Sequence, residues 1–92
     1  MIRRRLLVTG TVQNVFYRSW FADRARDFGL DGWVRNRADG SVEAVIQGPP
    51  EMIETMIARA REGSTASRVA DVQVHEDAPA ETLSGFEQRP TL

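Results

Sequence analysis

A chain of 92 residues has room for one domain, taken as residues 1–92, and little room for a second core. Its hydrophobic share of 41% and charged share of 27% are those of a globular protein, and the absence of cysteine excludes disulfides, thiolate chemistry and a Cys-based zinc site. A formal net charge of −1 argues against a nucleic-acid binder that works by neutralising many phosphates. The basic start leads into the apolar run Leu6-Leu7-Val8, far short of the roughly 7–15 apolar residues of a signal peptide or the about 20 of a membrane span. A cytoplasmic, monomeric protein with no membrane or nucleic-acid partner is expected. All twelve basic residues are arginines; this is read as a compositional bias, so each arginine is judged by its position.

Arg3 to Thr9 reads as a strand, with Leu6 and Val8 facing one way and Arg5, Leu7 and Thr9 the other. Gly10 punctuates it. A helix is expected from Tyr17 to Phe28, because Phe21, Ala25 and Phe28 recur at helical spacing and Gly29 supplies a stop. Gly32 to Arg37 and Ser41 to Gln47 form two strands around Asp39-Gly40, a hairpin signal. Gly48-Pro49-Pro50 breaks the sheet. Glu51 to Arg61 is a second helix with Met52, Ile53, Met56, Ile57 and Ala60 as its apolar stripe and Gly63 beyond its end. Arg68 to His75 is a further strand, Glu76 to Ser84 a loop, and Phe86 the anchor of a short final strand. The economical packing is α+β, a ferredoxin-like α/β sandwich with two helices on one face of a four- to five-stranded antiparallel sheet. That architecture alone does not specify a function.

The segment between the first strand and first helix carries the chemistry. A strand, a Gly-containing loop and a helix make the geometry in which successive backbone N–H groups converge on an anion. Arg18, in the first helical turn, can add a guanidinium to them.

Val8-x-Gly10-x-Val12-Gln13-x-Val15-x-x-Arg18 resembles the acylphosphatase signature Gly-x-Val-Gln-Gly-Val-x-Phe-Arg. The second signature of that family, Gly-Trp-Val-x-Asn followed by Asp-Gly, is similar to Gly32-Trp33-Val34-Arg35-Asn36 with Asp39-Gly40. Gln47-Gly48, Gly63 and Arg68-Val69 sit where the family has similar residues, so the resemblance runs from about Arg5 to Phe86. It implies metal-independent hydrolysis of acyl phosphates, without a cofactor. It further implies that Arg18 binds the substrate phosphate, that Asn36 positions the attacking water, and that the amides of Thr11, Val12, Gln13, Asn14, Val15 and Phe16 wrap the phosphoryl oxygens.

The residue types suit that chemistry. Phosphoryl transfer rests on positioning and electrostatic stabilisation, which arginine and fixed N–H donors supply. Neither motif contributes a His, Cys or carboxylate. A substrate here must therefore release a group that leaves without being protonated, such as the carboxylate of a mixed carboxylic–phosphoric anhydride, whose conjugate acid has a pKa of roughly 4. A phosphate monoester would release a far more basic alkoxide.

Three positions depart from the family pattern. Asn14 replaces a loop glycine and is the common substitute that best tolerates a left-handed backbone. Tyr17 replaces phenylalanine and brings a hydroxyl that needs a partner if buried. Ser64 stands where many relatives have proline. Trp33 is assigned to sheet packing, Trp20 to the helix surface or partial core, and Arg3-Arg4-Arg5 to a solvated face or edge protection. His75-Glu76-Asp77 has poor metal-ligand spacing, and no metal site is expected. The alternatives are a noncatalytic anion- or RNA-binding ferredoxin-like module, and a detached relative of the acylphosphatase-like domain of hydrogenase-maturation proteins. The standalone enzyme is preferred to both.

Overall fold

The computed structural model describes residues 1–91. Alternation in the first segment produces strand β1, Ile2–Thr11, with Leu6 and Val8 buried and their neighbours half-exposed. It is followed by α1 (Tyr17–Asp27), β2 (Asp31–Asn36), β3 (Val42–Gly48), α2 (Pro50–Glu62), β4 (Arg68–His75) and β5 (Phe86–Gln88). Pro50 opens α2, where its missing N–H costs nothing, and Gly63 ends it, donating its N–H to Arg59 O at 2.9 Å.

The sheet order is β4-β1-β3-β2-β5. The first four strands pair antiparallel, as the sequence predicts. β5 instead joins β2 in parallel, through Gly32↔Phe86 and Val34↔Gln88, so the complete sheet is mixed. Both helices pack on one face over Leu6, Val8, Val42, Ala44, Ile46 and Val34. From above, α1 contributes Phe21 and Ala25, and α2 contributes Ile53 and Met56.

β1 and β2 both run antiparallel to β3, which lies between them, so they are parallel to each other. Val8 and Asn36 both stand opposite Val42. This split β-α-β arrangement brings the end of β1, the start of α1 and the end of β2 to one edge of the sheet. β5, parallel to β2, ends there too.

On the opposite face, the part of the sheet around Trp33 is covered. Trp33 is only 1% exposed. Its ring lies near the guanidinium carbons of Arg35 and Arg89, 4.6 and 4.9 Å from the centroid, and its indole N–H donates to Glu81 at 2.9 Å. Glu81 belongs to the segment between β4 and β5, which thus serves as a strap. The basic start does not form a solvated face or protect an edge, because β1 is a central strand. Arg3 donates to Gln47 Oε1 and Pro79 O, Arg4 pairs with Glu76, and Arg5 with Glu43.

The hydroxyl of Tyr17 finds its partner in α2, donating to Ala60 O at 2.9 Å. The bond ties the first turn of α1 to the last turns of α2. Burial raises the phenol's pKa well above its ordinary 10. The neutral phenol is thus favoured by folding, and its contribution is fully present below pH 10 and declines as pH rises above it. Tyr17→Phe should lower stability at neutral pH by about 1 kcal/mol, the usual net worth of such a bond. It should also show a shallower loss of stability above pH 10 than the parent. Urea denaturation midpoints measured from pH 7 to 11 check both effects.

Candidate active site

β1 leaves the sheet through a bulge. Its register with β4 shifts between Thr9 and Gly10, and Gly10 has φ 120°. A Cβ there would run into the backbone of Arg68 and Ala70, so only glycine allows β1 to turn this close to β4. Thr11 remains in the strand, paired with Arg68. Val12 then drops into the core, and the loop turns back at Asn14 and Phe16, both left-handed with φ 61° and 60°. Left-handed residues between ordinary ones turn successive amides toward one side and make anion-binding concavities. Asn14 thus stands in the left-handed conformation that asparagine tolerates well, and the same conformation at Phe16 accompanies its place as the residue before α1.

Trp20 is the first residue of α1 whose N–H reaches a backbone acceptor, Phe16 O at 3.0 Å. Among the described residues, no protein acceptor takes the N–H groups of Gln13 through Ser19. No side chain caps α1 and its first turn holds no acidic residue, so the positive end of the helix dipole is uncompensated.

A cavity of about 290 Å³ opens at this helix end. Val12, Asn14 and Phe16 line it from the loop, and Tyr17, Arg18 and Ser19 from the helix. Asn36, the last residue of β2, enters from the sheet, and Gln88 from β5. Arg18 is half-buried. Among the described residues Arg18, Arg61 and Arg68 are the arginines whose guanidinium makes no hydrogen bond or ion pair to protein, and the last two are exposed on the surface. Only Arg18 of the three lines this cavity. The Oδ1 atom of Asn36 is buried and has no protein partner among the described residues. The cavity therefore gathers amide donors, a free guanidinium and a free amide oxygen, a set that can hold a phosphoryl group beside a water molecule.

The other predicted loop residues do different things. Thr11 stays in the strand, and Val15 packs against the core. Gln13 sends its side chain sideways, its Nε2 donating to Arg37 O and Ser41 O at 2.8 Å each. It fastens the loop to the hairpin that carries Asn36. Ser19 and Gln88 were not expected at the site. Two-residue alternation from Phe86 places Gln88 on the helix face, but nothing in the sequence says that a three-residue strand pairs beside β2. No group of three or more His, Cys, Asp or Glu side chains among the described residues is arranged to hold a metal ion.

The left-handed conformation of Asn14 leads to a direct test. Asn14→Val should cost about 1–2 kcal/mol of stability, the penalty of a left-handed backbone for such residues, and weaken binding of inorganic phosphate. Asn14→Gly, which suits the same φ, should bind phosphate no more weakly than the parent. Urea denaturation and isothermal titration calorimetry check the pair.

The family model described as Acylphosphatase matches residues 4–88. An acylphosphatase of Rhizorhabdus wittichii is 56% identical over 91 residues, covering 99% of this chain and 91% of the relative. Among solved structures, an acylphosphatase from Bacillus subtilis superposes with a TM-score of 0.91 at 34% identity, covering 97% of this chain and 99% of that one. An acylphosphatase from Coxiella burnetii gives a TM-score of 0.88 at 31% identity, with 96% and 92% covered. Both signature segments of the sequence thus lie within a match that spans nearly the whole chain, and the chain belongs to the acylphosphatase family.

Proposed function

We infer that this protein is an acylphosphatase, hydrolysing a small-molecule acyl phosphate to a carboxylate and inorganic phosphate. The observation that carries the reading is the meeting, at one cavity, of the unpaired Arg18 guanidinium, the loop and helix amides without acceptors, and the unpartnered Asn36 Oδ1. In this reading the amides of Gln13 through Phe16, with those of the first helical turn, and Arg18 hold the phosphoryl oxygens and stabilise their charge; Thr11, held in the strand opposite Arg68, stands outside this set. Asn36 holds water by accepting one of its protons at Oδ1. That water attacks phosphorus, the P–O bond to the acyl group breaks, and the carboxylate leaves with the bonding electrons. The proton lost by the water passes to a phosphoryl oxygen of the substrate, so no enzymic base is needed. The carboxylate needs no acid, and this selects anhydrides over monoesters. Neither metal nor cofactor enters the scheme. A single acylphosphatase-like domain, acting as a monomer in the cytoplasm, belongs to the same reading; among the described residues no helix is long and apolar enough to cross a membrane.

The RNA-binding alternative is not favoured. Its readers stack bases on aromatic residues of an exposed sheet face, whereas here Trp33 on that face is buried beneath Arg35, Arg89 and the strap.

Hydrolysis of benzoyl phosphate tests the assignment. Arg18→Ala and Asn36→Ala should each lower kcat by about 10²–10³-fold, the range for removing one preorganised donor or positioning group. Inorganic phosphate should inhibit competitively, and a chelator should leave the rate of the parent unchanged. Equal rates in all three proteins would sink the assignment, and loss of activity with chelator would reject the metal-free scheme.

A further inference from the structure

Phe16 is 84% exposed, one of three large apolar side chains among the described residues that face solvent. The other two, Met1 and Val74, do not line the cavity, whereas Phe16 does. It is not among the residues packed on the core, so its ring stabilises nothing in the fold. Its backbone is nonetheless left-handed, with φ 60° and ψ 20°, a conformation disfavoured for an aromatic residue. The remaining apolar side chains of the lining, Val12 and Tyr17, are buried. Ser19, Gln88 and Asn14, the other exposed residues of the lining, are polar. An apolar group entering the cavity from solvent can therefore meet an apolar surface only at Phe16.

This placement gains meaning from the reading of the site as that of an acyl phosphate hydrolase, on which the inference rests. In-line displacement puts the departing acyl group opposite the attacking water. With water held at Asn36 on the sheet side, the acyl group leaves on the side of the cavity that opens to solvent. We propose that Phe16 is the apolar wall of the acyl-group site, and that it makes the enzyme prefer acyl phosphates with an aromatic or bulky apolar acyl group over acetyl phosphate.

The test is the ratio of kcat/KM for benzoyl phosphate to that for acetyl phosphate, measured for the parent, Phe16→Asn and Phe16→Trp. Asparagine tolerates the left-handed backbone, so the first variant removes the ring while keeping the loop. The ratio should fall about three- to ten-fold in Phe16→Asn, as expected for loss of one aromatic contact, and return to the parental value or above in Phe16→Trp. A ratio that stays the same in Phe16→Asn overturns the proposal, whatever the common change in rate. A ratio that falls equally in both variants overturns it as well. A parent that hydrolyses neither substrate would instead refute the reading of the site itself, which the ratio does not test.

Discussion

The site depends on one side chain that touches no substrate in our account. Gln13 sits in the loop between β1 and α1, yet its amide group donates two hydrogen bonds to the carbonyls of Arg37 and Ser41, on the two sides of the β2–β3 turn. The loop and the hairpin come to the same edge of the sheet because β1 and β2 are parallel. Sheet topology alone does not hold a five-residue loop at a fixed height against a turn. Two bonds from one planar amide do, and losing them would leave two carbonyls to find other donors. The loop that leads to Arg18 and the hairpin that carries Asn36 are thereby fastened into one unit.

A second clamp works from the other face of the sheet. Glu43 on β3 is 5% exposed and receives Arg5, Arg35 and Arg37. Burial alone would raise its pKa, but the hydrogen bonds and charges of Arg35 and Arg37 outweigh burial and hold the carboxyl below its ordinary range. It stays ionised, and its two hairpin arginines flank Asn36 in sequence. With Arg35 and Arg37 both drawn to Glu43 on the covered face, the alternation of the strand turns Asn36 toward the helices and the cavity. The all-arginine composition thus has a local use here, since three guanidiniums can share one buried carboxylate.

Much of this was legible before the structure. Alternation and the Asp39-Gly40 turn signal located the first four strands, Phe86 marked the last, helical spacing placed both helices, and the two signature segments named Arg18 and Asn36, which the fold brings to one cavity. The departure at Tyr17 posed a definite question about its hydroxyl, and Ala60 answers it. What could not be read is long-range pairing of short or irregular segments. β5 is three residues long and takes its direction from the strap before it, so neither its parallel pairing nor Gln88's place at the cavity follows from local pattern. The strap itself reads as a plain loop because two of the partners that fix it, Arg3 on Pro79 O and Trp33 on Glu81, lie far away in sequence. The pairing of Arg3-Arg4-Arg5 is hidden for the same reason: charge in a strand looks solvated until its partners are known.

If Gln13 makes the loop and the hairpin act together, its removal must harm catalysis through Asn36. A double-mutant cycle in kcat for benzoyl phosphate, with Gln13→Ala and Asn36→Ala, measures this coupling. Our account predicts that Gln13→Ala lowers kcat by about ten-fold or more in the parent, as expected when a reacting group loses its alignment, and by less than about three-fold once Asn36 is already gone. The same loss in both backgrounds would contradict it.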